Sequence, residues 1–317
     1  MTTMRQPAPV EAPTERRHPR SFELDLLPTG DLLRLINDQD ALVAPAVAAA
    51  LPAIEAAVEL ATTALRAGRS VHYFGAGTSG RIAAMDAAEL PPTFGVAPDQ
   101  VVAHHAGGAA ALDTARENVE DDHASGAGDA QVLTAGDIAI GLTASGRTPY
   151  VAGALAHARL VGAHTVLVSS HPAAEAAELA DVHICVETGP EVLSGSTRLK
   201  AGTAQKLVLN AFSTAVMVRL GHTYSNLMTG VVANNAKLHG RMVGILAQAS
   251  GRELDTCNDV LAECGGDLRL AMVRLLGDVE PERARAALDA TGGVVRAALR
   301  HLDVPPDTPG HTPHTTP

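Results

Sequence analysis

The sequence predicts an α/β protein: a doubly wound, parallel five-stranded sheet flanked by helices, followed by a small C-terminal helical domain. Three observations carry this reading. Five short β-rich runs alternate with helical stretches between residues 71 and 186. The runs are almost wholly apolar, as in strands covered on both faces. After the fifth run come two long helical stretches, and from Gly251 onward shorter amphipathic segments punctuated by glycine.

Each element follows from local pattern. Residues 1–20 carry Pro, Thr and Arg without a period, and too little apolar surface to offset ordering entropy, so they read as a disordered tail. Residues 30–67 show helical spacing through Leu32, Leu33, Ile36, Leu42, Val43, Leu51, Ile54, Val58 and Leu65, with a break or restart near Pro52 and a C-cap at Gly68. Val71–Phe74 is a strand, followed by a Gly-rich turn and a helix over 80–90. Further strands fall at Gln100–His104, Asp137–Thr143, His164–Ser169 and Val182–Val186. The helices between them are expected near 110–121, 149–161 and 172–180. A long Ala/Leu/Val helix spans 200–220 and another 229–249. Residues 251–302 read as a small three-helix domain, and 303–317 as a disordered, Pro/His-containing tail. The sheet domain with its N-terminal helices is therefore expected over 21–250.

Composition narrows the function. The 317 residues carry a net charge of −11, which argues against a polyanion-binding surface and hence against nucleic acid as partner. Aromatics are only 2%, with no Trp, so single-stranded nucleic acid would find few stacking platforms. Cys185, Cys257 and Cys264 are scattered and odd in number, which fits a reducing compartment and suits no zinc motif, so no metal is expected. No long apolar run reads as a membrane span, and residues 1–20 lack the apolar stretch of a secretory signal. A cytoplasmic protein is the expectation.

Three loops could carry chemistry. Gly75-Ala76-Gly77-Thr78-Ser79-Gly80 lies between a strand and a helix, where glycines admit a ligand and helix N–H groups favour an anion. It has the G-x-G-x-x-G form of a dinucleotide site, but the second strand ends in His104-His105, without the ribose-binding acid. Thr78 and Ser79 point to a sugar or phosphate instead. Thr143-Ala144-Ser145-Gly146-Arg147-Thr148-Pro149 is a second loop of the same kind, at the same end of a parallel sheet. Glu191 to Lys200, with Ser194 and Ser196, is a third, whose hydroxyls and cations could close a phosphate site. Glu89 precedes a Pro-Pro turn, and Glu117 and Glu120 close the second crossover region. Two carboxylates on one ligand can divide acid and base duties, and solvated helix ends are the other reading.

Together Gly75–Gly95, Gly141–Tyr150 and Glu191–Leu209, with Asn226–Met228 and Asn234–His239, resemble the N-acetylmuramic acid 6-phosphate etherases, enzymes of the sugar isomerase (SIS) domain class. The resemblance covers about residues 22–302. It implies a SIS-type sheet and a reaction in which water replaces the D-lactyl ether at C3 of the phosphosugar by elimination and hydration, with no metal or organic cofactor. It implies Glu89 as the acid assisting lactate departure and Glu120 as the C2 base, with Glu117 the alternative one turn earlier. Thr78, Ser79, Ser145, Gly146, Thr148, Ser194 and Ser196 would hold phosphate and sugar, and His239 is a further candidate, reaching a neighbouring subunit's site. A homodimer is expected, with apolar helix faces such as 201–218 at its interface. Four positions depart from the family pattern: Ala88 and Leu90 on either side of Glu89, Phe94 and Ala109. A non-catalytic phosphosugar sensor, like the related glucokinase regulatory protein, or an aldose–ketose isomerase would share the hydroxyl loops.

Overall fold

The computed structural model describes residues 12–114, 116, 118–231 and 235–305. The chain divides into two compact units. One takes residues up to Ala88 together with Asp99–Thr214; the other takes Glu89–Pro98 together with Ala215 onward.

The first unit opens with α1 (Thr29–Asp40), α2 (Val43–Ala49) and α3 (Leu51–Arg66). Pro52 sits in the first turn of α3, where its missing N–H costs no helical bond. There follow β1 (Val71–Gly75), α4 (Gly77–Phe94), β2 (Val101–His105), α5 (Ala110–Asp113), α6 (His123–Asp129), β3 (Ile138–Leu142), α7 (Pro149–Val161), β4 (His164–Ser169), β5 (Val182–Cys185) and α8 (Lys200–Leu220), with α4 beyond Ala88 and α8 beyond Thr214 assigned to the second unit. The five strands are parallel, in the order β2-β1-β3-β4-β5. Every residue of β1 and β3 is buried, as continuous apolar runs require of central strands. The pleat of β1 splits its aromatics between the two faces. Tyr73 meets Phe212 of α8 edge-on at 6.5 Å, while Phe74 joins a core with Tyr150, Val151 and Leu155 of α7. The order reverses between β1 and β3, so the crevice at their carboxyl ends is where a ligand binds in such sheets.

Several elements differ from the sequence reading. The helix expected near 110–121 stops at Asp113, and Asn118 takes a left-handed φ of 64° that a helix cannot hold. The turn against α7 is supplied instead by α6. In place of a helix at 172–180 there is a single 3₁₀ segment, Glu175–Leu179. Helix α4 does not stop at the two prolines: Pro91 and Pro92 lie inside it, and the Thr93 hydroxyl donates to the Glu89 carbonyl at 2.7 Å. Residues 12–20 are packed rather than free: Pro13–Glu15 makes a 3₁₀ turn, and Ala12, Thr14 and His18 are buried.

The second unit contains a small antiparallel ladder, β6 (Thr223–Tyr224) with β7 (Leu227–Met228), then α9 (Ala236–Ser250), α10 (Leu254–Glu263), α11 (Leu268–Gly277), α12 (Pro281–Ala290) and α13 (Val295–His301). Among the described residues four helices follow Gly251 where three were expected, because Pro281 starts one of its own. Met242, Leu246, Cys257, Leu261, Met272 and Val295 form their common core. Residues 89–98 belong to this unit through the Phe94 carbonyl, which accepts from Arg269 at 3.4 Å and is 3.1 Å from His222 Nδ1. Among the described residues no single helix is long and apolar enough to cross a membrane.

Candidate functional site

The carboxyl ends of β1 and β3 are in register, Gly75 opposite Leu142, so the first two hydroxyl loops emerge side by side. At β1 the turn is so short that α4 begins at Gly77, placing Thr78 and Ser79, both half-buried, in its first turn. The leading N–H groups of a helix have no partner within it, and the helix dipole adds partial positive charge there.

The loop after β3 is held from within. Thr143, buried at 2% exposure, lies 2.7 Å from Thr148 Oγ1 and 3.4 Å from Ser145 Oγ, and its hydroxyl accepts from Gly146 N at 3.2 Å. Ser145 Oγ accepts from Arg147 N at 3.3 Å. Gly146 has φ +72° and lies so close to Ala174 that a Cβ would come within 2.2 Å of that residue's own, so only glycine fits. Arg147 turns outward to Glu175 at 3.0 Å. Thr143 is no candidate in the sequence beyond starting the motif; its place at the strand terminus, ahead of two further hydroxyls, is the signal that marks it as the hub.

Glu120 is brought to this loop by its backbone. Its carbonyl accepts from Tyr150 N at 3.0 Å, directly after Thr148-Pro149, and its side chain is exposed. The neighbouring helix α6 is fixed to α7 by Tyr150, whose hydroxyl donates to Asp129 at 2.6 Å. On the other side, Arg81 of α4 donates to the carbonyls of Leu112 and Ala111 at 2.7 and 2.9 Å, tying the start of the same excursion to the first loop.

The third loop reaches the first through α8. Gly202 lies against the Thr78 methyl, where a Cβ would be 3.3 Å away. The start of α8 is not an open anion site. Glu191, fully buried, accepts from Lys200 N and Ala201 N at 3.0 Å each. Burial holds its carboxyl above the ordinary range, against the pull of those two bonds. Lys200 is also buried and donates to Gln39 at 3.0 Å; burial lowers its pKa despite the nearby carboxylates of Glu191 and Asp40. Of the cations expected to help close a phosphate site, Lys200 is thus spent inside the fold, while Arg198 is exposed. Ser194 is exposed and Ser196 half-buried.

Glu89 lies on α4 eleven residues past Thr78, about three turns on. Its side chain is exposed, and it opens the segment assigned to the second unit. One turn earlier Asp86 is buried and accepts from Tyr73 and Ser213, each at 3.1 Å. Burial raises its pKa above the usual carboxylate range. His239, on α9 in the second unit, is exposed and lies 2.8 Å from Asn258 Oδ1. Glu117 lies outside the described residues. Among the described residues no group of three or more His, Cys, Asp or Glu side chains could hold a metal ion.

Comparison with known proteins adds the following. The family model for the glucokinase regulatory protein N-terminal SIS domain matches residues 53–159, and that for the SIS domain matches 108–215. An N-acetylmuramic acid 6-phosphate etherase from Thermobifida fusca (strain YX) is 63% identical over 272 residues, 85% of this chain and 90% of that protein. One from Klebsiella aerogenes is 49% identical over 288 residues, 90% of this chain and 96% of that protein. Among solved structures, a phosphoheptose isomerase from Francisella tularensis covers 60% of this chain and 98% of its own, with 19% identity and a TM-score of 0.49.

Proposed function

The chain belongs to the N-acetylmuramic acid 6-phosphate etherase family, and we propose that it cleaves the D-lactyl ether at C3 of N-acetylmuramic acid 6-phosphate, as a carbon–oxygen lyase acting by elimination and hydration. The products are N-acetylglucosamine 6-phosphate and D-lactate. The observation that carries this is the 63% identity over 85% of the chain. Two adjacent hydroxyl loops at the sheet's switch point support it.

The chemistry follows from the substrate. In the open-chain sugar the C1 aldehyde acidifies the C2 proton. Glu120 removes that proton, and Glu89 protonates the departing lactyl oxygen at C3. Water then adds at C3 of the unsaturated aldehyde, with Glu89 taking its proton and Glu120 returning one to C2. Both carboxylates are exposed and so open to a diffusible substrate. Thr78, Ser79, Ser145, Gly146, Thr148, Ser194 and Ser196 bind phosphate and sugar by hydroxyl and N–H donation. The protons move between carboxylates and substrate alone, so the reaction calls for no metal or organic cofactor. We place the enzyme in the cytoplasm as a homodimer recycling cell-wall amino sugar, with His239 near the neighbouring subunit's site.

The test is D-lactate release from N-acetylmuramic acid 6-phosphate by purified protein beside Glu89→Ala. Release by the wild type and near-loss in the variant is the expected result. Binding of the phosphosugar without release would favour a second reading, a non-catalytic sensor, which the match to the glucokinase regulatory protein SIS domain supports.

A further inference from the structure

The segment ahead of α1 is built into the loop that carries Ser194 and Ser196. Ala12 and Thr14 are 0% and 1% exposed, although nothing in their sequence is strongly apolar. Gly195 N donates to the Thr14 carbonyl at 3.2 Å, fixing the strap against the loop. The next residue, Glu15, then lies directly over Gly195, where a Cβ would come within 2.7 Å of Glu15 Oε2 and 3.7 Å of Oε1. Gly195 has φ +77°, so this position favours glycine for its backbone as well as for the space the carboxylate fills. Glu15 is exposed, and among the described residues its carboxylate makes no hydrogen bond or ion pair. An acceptor-only group, held at the centre of a hydroxyl loop by a buried strap, faces outward.

We propose that Glu15 is a specificity-determining residue of the substrate site: its carboxylate accepts a hydrogen bond from a hydroxyl or amide N–H of the amino sugar. This rests on the etherase reading and deepens it. The physical reason is charge. A carboxylate beside the Ser194–Ser196 loop repels a phosphate dianion, and the N–H donors that open α8 are already taken by Glu191. This loop therefore receives the uncharged, donor-bearing part of the ligand, and the phosphate is held by the other two loops. The hydroxyls of Ser194 and Ser196 complete a sugar-reading surface.

The test compares wild type, Glu15→Gln and Glu15→Ala. Three readouts are taken: D-lactate release from N-acetylmuramic acid 6-phosphate, affinity for N-acetylglucosamine 6-phosphate, and inhibition by inorganic phosphate. A hydrogen bond to a charged group is worth roughly 10- to 100-fold. Glu15→Ala is expected to lose about that much in kcat/KM and in affinity for the amino-sugar phosphate, with Glu15→Gln in between and inhibition by inorganic phosphate unchanged. The melting temperature stays at the wild-type value, because the side chain is exposed. Wild-type kinetics in Glu15→Ala overturn the proposal. So does an equal loss of affinity for inorganic phosphate, which would put the phosphate at this loop. Absence of lactate release from the wild type itself refutes the etherase reading, and is distinguishable because it precedes any variant.

Discussion

Gly126→Ala is the perturbation that best joins fold to chemistry. A Cβ on Gly126 would lie 1.9 Å from the Tyr150 carbonyl oxygen and 2.7 Å from its carbon. Both are backbone atoms of α7 and cannot rotate away. Ordinary contact begins near 3.4 Å, so α6 must retreat by about 1.5 Å. Two effects oppose each other. Alanine favours a helix over glycine by about 1 kcal/mol. Overpacking costs about 1–3 kcal/mol, and the retreat strips the bond from Tyr150 N to the Glu120 carbonyl and strains that from the Tyr150 hydroxyl to Asp129, together about 1–2 kcal/mol more. The steric side wins, and the net loss is about 1–4 kcal/mol, read from the urea midpoint at constant slope. Glu120 moves with α6, and a misplacement of about 1 Å in a catalytic group costs about 100-fold in rate. D-lactate release should therefore fall about 100-fold in kcat at a temperature where the variant is fully folded. A variant as stable as the wild type, or destabilised yet unaltered in kcat, would refute the claim that α6–α7 packing positions Glu120.

Three further outcomes are expected. Glu89→Ala should cut lactate release by at least 100-fold while moving the urea midpoint by an amount equivalent to less than about 0.5 kcal/mol, since the side chain is exposed; a large fall in stability would mean the residue serves the fold. Glu191→Ala leaves two buried N–H donors of α8 without an acceptor, a loss of about 3 kcal/mol in urea unfolding; a loss below about 1 kcal/mol would show that the helix start rehydrates. His72 has a pKa lowered to about 4, first by burial and then by His104 beside it. Its folded value lies below its unfolded one, so the unfolded chain binds the extra proton. Stability is full above about pH 6.5 and falls as pH drops towards 4, by on the order of 3 kcal/mol in all. His72→Gln should flatten that acid limb in urea midpoints taken between pH 7 and pH 5, and an unchanged slope would assign the loss to other groups.

The sheet was legible because its strands are continuous apolar runs, a signal that burial on both faces imposes directly. The hydroxyl loops were legible for a related reason: glycine and hydroxyl residues between strand and helix answer a local geometric demand. What escaped was tertiary. The Ala-rich run after Gly108 reads as helix by propensity, yet it yields to Asn118 and to the packing of α6 on α7, which depends on glycines that weaken α6 as an isolated helix. Glu191 and Lys200 look like functional charges beside hydroxyls, and only the structure turns them inward as a helix cap and a buried tether. The strap at Ala12–Glu15 gave no period at all, because four residues held by one carbonyl and two small side chains leave no pattern to find.

The second unit's discontinuity also sets an order of events during synthesis. Phe94 and Arg269 are 175 residues apart. At about 5–20 residues per second, the segment bearing Glu89 and the two prolines leaves the ribosome roughly 10–35 seconds before the helix that supplies Arg269 exists. Through that interval the nascent chain can assemble its five parallel strands, while residues 89–98 wait without their neighbours. A stalled or prematurely ended polypeptide would carry a complete sheet and an orphaned proposed proton donor.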